Sequence, residues 1–399
     1  MVEHEPILDR SLVVRAERAL AALWRGLEGP IAIEPHSWMT PEWARATLSD
    51  GLPGPAIAMG HRALAHGDER IADRCRGLLV EAVDAGKALW IAPGLVQGVA
   101  GLGYAIEHLA AIELVEGVEQ VADTLAGRAC EAIAPGGLTH DLFFGTAGMV
   151  VYGLERARAS NQRDVLGAAL EHVAARATRD PNGITWIQVA DTRWMDPAMV
   201  AKYPDGHIDT GMSHGVAGVI AALAAAIRAG ADGEIQDLAR GALAWLWSVM
   251  FEGNERLWPT VVGEPGGGSG WCRGDLGVAA AACAAAFAVG DHESIARATA
   301  AARTALERRD WVNSTVALCH GPAGAAHVAH RLYRLTGDPS FADAARSACA
   351  DVLDQLDRHE LGPGIVTGRS GVALALESLV GTIEPSWDRW FLPGFPSDR

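Results

Sequence analysis

Two kinds of apolar segment alternate along this chain. In the first kind almost every position is apolar or small, as in residues 276–289, which are mostly alanine. In the second, apolar positions recur at helical spacing with charged residues between them, as in residues 294–303. The first pattern predicts a helix buried on all sides, and the second a helix with one face in water. A Gly-x-x-Gly signature opens the buried segments, at Gly51/Gly54, Gly98/Gly101, Gly145/Gly148, Gly215/Gly218, Gly274/Gly277, Gly321/Gly324 and Gly368/Gly371. The intervals between the first glycines are 47, 47, 70, 59, 47 and 47 residues, so one unit of about that length is repeated seven times.

Each unit is therefore a helix pair, one inner and one outer. Stacked pairs make either an open solenoid or a closed ring, and an open solenoid needs polar caps on its end units. Here the first and last units are as apolar as the middle ones. The expectation is an all-α fold, an α/α toroid with seven inner helices ringed by outer ones, occupying residues 1–399 as a single domain. The glycine pairs then lie where loops meet inner-helix N-termini at one mouth of the ring.

Composition narrows the functional classes. The chain has 399 residues, 49% of them apolar and only 6% aromatic, which suits a folded helical protein with a small-residue core. A formal charge of −16 argues against a nucleic-acid or anionic-membrane surface, both of which want clustered cations. The longest apolar run is shorter than the roughly 20 residues a membrane helix takes. The N-terminus has no basic segment followed by an apolar run, and the six cysteines have no disulfide-scaffold spacing. Together these predict a cytoplasmic protein with reduced thiols.

The repeat register directs attention to the mouth. Directly before each first glycine stand Asp50, Gln97, Phe144, His214, Arg273, His320 and Thr367; one position earlier stand Ser49, Val96, Phe143, Ser213, Cys272, Cys319 and Val366. Consecutive units are neighbours in a ring, so His214, Cys272 with Arg273, and Cys319 with His320 should meet. Cys272, Cys319 and His320 then form a three-ligand set with a fourth position open, the arrangement of catalytic zinc. Cys319 and His320 can both ligate only from a loop, since a strand would send them to opposite faces. Cys75, Cys130, Cys283 and Cys349 lie outside the repeat loops and are expected as small core residues, and His327 and His330 as surface or satisfied core positions.

The motifs Gly211-Met212-Ser213-His214-Gly215-Val216-Ala217-Gly218, Trp271-Cys272-x-Gly274, Cys319-His320-Gly321 and Thr367-Gly368-Arg369-Ser370-Gly371 resemble those of the lanthionine synthetase C-like family, the lanthipeptide cyclases, and the resemblance spans all seven repeats. It implies an α/α toroid with one zinc held by Cys272, Cys319 and His320. It also implies His214 as the acid/base residue and Asp141 as its carboxylate partner; read alone, Asp141 would be a helix N-cap. Nisin-type members carry a small β domain, which this sequence is expected to lack. The surplus in the longest interval, around residues 184–207 with Trp186, Trp194 and Tyr203, is expected as a loop over the mouth.

The implied reaction is intramolecular addition of a peptide cysteine thiol to dehydroalanine or dehydrobutyrine, giving a thioether ring. Its partners would be a dehydrated precursor peptide and a dehydratase, with membrane association only through a complex. A thiol of pKa about 8.5 is mostly protonated at neutral pH, and a metal remedies that. Three other readings stay open: addition of a small thiol such as glutathione to dehydrated residues, a non-catalytic scaffold, and a toroid hydrolase built on carboxylates such as Asp50, Asp141 and Asp275. The chain departs from the family at Arg273 and Gly268, where many cyclases have a tyrosine and an arginine. Arg273 is expected to point into the mouth as a replacement cation; the alternative is that it only pairs with Asp275 or another nearby acid.

Overall fold

The computed structural model describes residues 7–37, 39–87, 92–133, 138–189, 197–231, 233–253, 255–311, 315–381 and 385–396. The chain begins with α1 (Arg10–Glu28), α2 (Pro41–Ala46), α3 (Pro53–His66), α4 (Glu69–Gly86), α5 (Val99–Ala111) and α6 (Glu119–Ile133). It continues through α7 (Thr146–Ser160), α8 (Asp164–Ala175), the hairpin β1 (Thr178–Asp180) and β2 (Gly183–Thr185), and α9 (Pro197–Lys202). The second half is α10 (Val216–Arg228), α11 (Gly233–Ser248), α12 (Asp275–Val289), α13 (His292–Arg308), α14 (Pro322–Thr336), α15 (Pro339–Gln355) and α16 (Arg369–Val380). No helix among the described residues is long and apolar enough to cross a membrane.

Helices α3, α5, α7, α10, α12, α14 and α16 are the apolar segments that follow the glycine pairs. Each packs on the next, and α16 packs on α3, closing a ring. The outer helices α4, α6, α8, α11, α13 and α15 each pack on the inner helix before them. The seventh outer helix comes from the far end of the chain: α1 packs on α16 and α15, and the Trp24 indole donates to Glu377 Oε2 at 2.7 Å in the buried seam. The α/α toroid is thus closed by its two termini.

A second closure lies in the backbone at the mouth. The residue two before each first glycine donates its amide to the carbonyl of the equivalent residue in the next unit: Ser49 to Val96, Val96 to Phe143, Phe143 to Ser213, Ser213 to Cys272, Cys272 to Cys319, Cys319 to Val366, and Val366 back to Ser49. The seven distances lie between 2.9 and 3.3 Å. These groups have no helix or sheet to bond within, and buried backbone polar groups must be satisfied somewhere, so the repeat satisfies them around the ring.

The glycines are needed for close approach. The first glycines of the pairs cap the inner helices with extended backbone, as at Gly274, which any residue can adopt. A Cβ on Gly274 would nonetheless strike the Gly268 carbonyl and Gly270 amide, and one on Gly277 would strike the Trp271 carbonyl. Only a residue without a side chain lets the loop fold back onto its own helix here.

The tail after α16 enters the space inside the ring. Trp387, Trp390 and Phe391 are fully buried; Asp388 meets His327 at 2.8 Å and Arg331 at 2.9 Å, and Arg389 meets Glu155 at 3.0 Å. His327 is thus a buried core histidine, its Nε2 paired with Asp388 and its Nδ1 without a hydrogen-bond partner among the described residues. Phe391 reaches far enough to stack on Trp271, with ring centroids 4.2 Å apart, and so forms the floor beneath the mouth.

Candidate active site

Residues 211–214, 271–273 and 318–320 are turns, not strand or helix, which is what allows adjacent side chains of one loop to converge. The Cys272 amide bonds the Cys319 carbonyl at 3.0 Å, so the backbone ring itself brings the two thiols together. The ligand atoms of Cys272, Cys319 and His320 all lie within 4.8 Å of one another. Cys319 is buried, Cys272 half-buried and His320 exposed, so the cluster opens to solvent on one side.

The three donors are close enough to perturb one another. A hydrogen bond with Cys319 pulls the Cys272 thiol down, against its burial and with help from His320. The same contact pushes Cys319 up, and the contact with Cys272 raises His320. Two sulfurs this close cannot both carry a bare negative charge. Cys75, Cys283 and Cys349, by contrast, are fully buried thiols pushed up to about 12 by desolvation, while Cys130 is half-buried.

Next along the rim, His214 Nδ1 lies 3.9 Å from Asp141 Oδ1. The imidazole stacks on Phe144 at 5.2 Å between centroids and meets the edge of Phe143 at 5.3 Å. Asp141 is fully buried and richly bonded: Oδ1 accepts from the Phe144 amide at 2.7 Å, and Oδ2 from the Thr139 hydroxyl at 2.8 Å and Gln188 Nε2 at 3.2 Å. Burial alone would raise this carboxyl; contact with His214 and these donors outweigh it and hold it down at about 2. Asp141 therefore caps its own turn through the Phe144 amide and also faces His214.

Arg273 sits on the same rim with its side chain 45% exposed, and its Nη2 lies 3.6 Å from Asp209 Oδ2. It does not pair with Asp275, which is occupied by Arg308 at 2.8 Å and by the amides of Leu257 and Trp258. Asp50 is part-buried and bonded to Ser49 and Thr367. Asp50, Asp141 and Asp275 are thus each engaged by neighbouring donors.

Of the 184–207 stretch, residues 184–189 and 197–207 are described, and Gln188 is the residue that meets Asp141. The first part of the stretch is anchored sideways: the buried Trp186 indole donates to the Val173 carbonyl at 2.9 Å, and β2 packs on α11. Gln188 and His207 then pair backbone to backbone at 2.7 and 3.0 Å and bring Gln188 against Asp141. Tyr203 packs on His207 with ring centroids 4.8 Å apart, and Trp194 lies outside the described residues. The β1–β2 hairpin is the β structure among the described residues beyond isolated bridges.

Gln188 and Asp209 are the site residues that sequence reasoning passed over. Gln188 lies in the insert, where no repeat register marks it. Asp209 had a signal: six positions before the first glycine the units carry Arg45, Ala92, Thr139, Asp209, Gly268, Thr315 and Gly362, and unit four alone has an acid there.

A sequence model of the lanthionine synthetase C-like protein family matches residues 42–392. The nisin biosynthesis protein NisC of Lactococcus lactis subsp. lactis is 22% identical over 362 residues, covering 84% of this chain and 85% of its own. The solved structure of nisin cyclase superposes with a TM-score of 0.75 at 18% identity, over 97% of this chain and 98% of that one. A sugar epimerase from a ruminal bacterium is a weaker likeness, with a TM-score of 0.48 at 11% identity over 92% of this chain and 98% of that one. With most of its length matched, from the first helix after the N-terminal one to the tail inside the ring, the chain belongs to the lanthionine synthetase C-like family.

Proposed function

We propose that this protein is a zinc-dependent lanthipeptide cyclase, forming lanthionine or methyllanthionine rings by adding peptide cysteine thiols to dehydroalanine or dehydrobutyrine. The observation that carries the reading is the convergence of two thiols and an imidazole within 4.8 Å on a solvent-facing rim, beside a histidine backed by a buried carboxylate. The donor set fits zinc. A tetrahedral centre with Zn–S of about 2.3 Å and Zn–N of about 2.0 Å puts its ligand atoms about 3.5–3.8 Å apart, inside that spread. When bound there, zinc would lower the pKa of a substrate thiol and present the sulfur as a nucleophile.

In the reaction a C–S bond forms between the cysteine sulfur and the substrate's Cβ, the Cα=Cβ double bond is lost, and the proton given up by the thiol ends on Cα. His214 is the group suited to carry that proton. Its Nδ1 side faces the buried Asp141 carboxylate at 3.9 Å, so the far ring nitrogen, Nε2, is the one placed to exchange the proton with substrate. Phe143 and Phe144 hold the ring from two sides and limit its rotation. Arg273 places a permanent cation on the same rim, suited to the charge that develops on the substrate carbonyl during addition.

The kinship with NisC supports a peptide substrate, and a substrate with dehydrated residues calls for a dehydratase acting before this protein. The same site could also join a small thiol such as glutathione to a dehydrated residue. Incubating a dehydrated, cysteine-containing peptide with the protein, with and without glutathione, separates the readings by mass spectrometry after thiol alkylation. Cyclisation leaves the peptide mass unchanged and removes alkylatable thiols even with glutathione present. Glutathione adducts with free peptide thiols would overturn the cyclase reading, and no reaction of either kind would leave a scaffold.

A further inference from the structure

Arg273 would be of little use to a developing negative charge if its long side chain were free to swing into solvent, and Asp209 is built to prevent that. Asp209 is fully buried, directly preceding the His214 turn. One of its oxygens, Oδ1, is taken by the Gly211 amide at 2.7 Å, which pins the carboxylate to its own loop. The other, Oδ2, makes no hydrogen bond, although it is buried, and faces the Arg273 guanidinium at 3.6 Å.

That combination is unusual in energetic terms. A buried carboxylate oxygen without a donor is costly, and structures keep such groups where the charge serves a purpose. At 3.6 Å the contact is an ion pair and not a hydrogen bond, and the guanidinium makes no hydrogen bond to any described residue. Arg273 is therefore tethered by charge while its N–H donors remain available. The register agrees: unit four is the unit with an acid six positions before its glycine, and unit five the unit with an arginine immediately before its own. The two loops are joined by the Ser213 amide and hydroxyl, both donating to the Cys272 carbonyl at 2.9 and 3.0 Å.

We infer that Asp209 is a positioning residue for the addition: its carboxylate anchors the Arg273 guanidinium on the His214 side of the rim, leaving the arginine's free N–H groups for the carbonyl of the substrate's dehydrated residue. The inference rests on the cyclase reading, so its test needs one readout that depends on that reading and one that does not.

The first readout is a double-mutant cycle on cyclisation of a peptide with one dehydroalanine and one cysteine, using zinc-loaded wild type, Asp209→Asn, Arg273→Ala and the double variant. Asp209→Asn is expected to lower kcat by about tenfold with zinc content unchanged, and to add less than about twofold on the Arg273→Ala background. A purely structural Asp209 would cost the same on both backgrounds, and that result would overturn the inference. The second readout is phenylglyoxal modification of Arg273 in the protein without peptide, followed by mass spectrometry. Asp209→Asn should speed it several-fold, because loss of the pairing charge frees the guanidine; an unchanged rate would also overturn the inference. Faster modification together with no cyclisation by wild type would refute the cyclase reading alone. If Asp209→Asn does not fold, Asp209→Glu replaces it, with lower kcat and unchanged zinc as the supporting result; failure of both to fold would assign Asp209 to the fold and end the proposal.

Discussion

Replacing Asp141 with asparagine removes a charge while nearly preserving the volume, so it isolates what the carboxylate does. In the wild type the group is fully buried and held at about 2, below the ordinary aspartate value of 3.8. A depressed folded-state value means stability that is present above the unfolded value and lost as the pH falls from about 4 to about 2. A shift of this size corresponds to about 2–3 kcal/mol, an order-of-magnitude figure. Asparagine has no charge to hold and must turn its NH2 either toward the Thr139 hydroxyl and Gln188 amide or toward the Phe144 amide, all of which donate to this carboxylate. Urea denaturation of both proteins from pH 7 to pH 3, each without added zinc, should give a gap of about 2–3 kcal/mol that is level down to about pH 5 and narrows by about 1 kcal/mol by pH 3. A gap that stays constant with pH would refute the electrostatic argument and leave Asp141 as a simple turn cap. At neutral pH the variant should also cyclise more slowly with zinc retained, since His214 loses the group that orients it.

Three further outcomes follow from the same geometry. His214→Ala should keep its zinc and its fold, with a lowered thermal midpoint because the buried Asp141 loses its main partner, while ring closure slows by about 10²-fold or more; an unchanged rate would remove it from the proton path. Arg273→Ala should slow cyclisation without loss of zinc, and Arg273→Tyr should recover the rate only in part; equal rates for wild type and Arg273→Ala would leave the cation without a catalytic role. Gly277→Ala should destabilise the protein by about 2–4 kcal/mol and weaken zinc binding, because the added methyl strikes the Trp271 carbonyl one residue before Cys272; a thermal midpoint and zinc affinity matching wild type would contradict the close-approach argument.

The parts of this molecule that were legible in its sequence are those that repeat. The 47-residue register places the inner helices, and because the backbone ring links equivalent positions, two cysteines at one register position in consecutive units had to be neighbours. What the register missed is non-periodic. The outer partner of α16 is α1, more than 300 residues away in sequence, and no local pattern encodes a pairing between chain ends. Trp387, Trp390 and Phe391 read as an ordinary apolar tail until the ring is known to be closed and to have an interior they can enter. Gln188 belongs to an insert anchored largely through Trp186, so its arrival at Asp141 depends on packing that no spacing predicts. For Arg273 the sequence offered Asp275 as a partner two residues away, but that carboxylate is held by Arg308 and two backbone amides, and the buried Asp209 of the neighbouring unit faces the guanidinium instead.

If the Cys272, Cys319 and His320 cluster closes thioether rings when loaded with zinc, counting alkylatable thiols on a dehydrated precursor peptide after incubation with protein of known metal content will show it. Wild type should hold one zinc per chain and consume the peptide's free thiols, and Cys319→Ala should do neither. A wild-type protein purified without chelator that held no zinc, or one that held zinc and left every peptide thiol free, would contradict the cyclase reading.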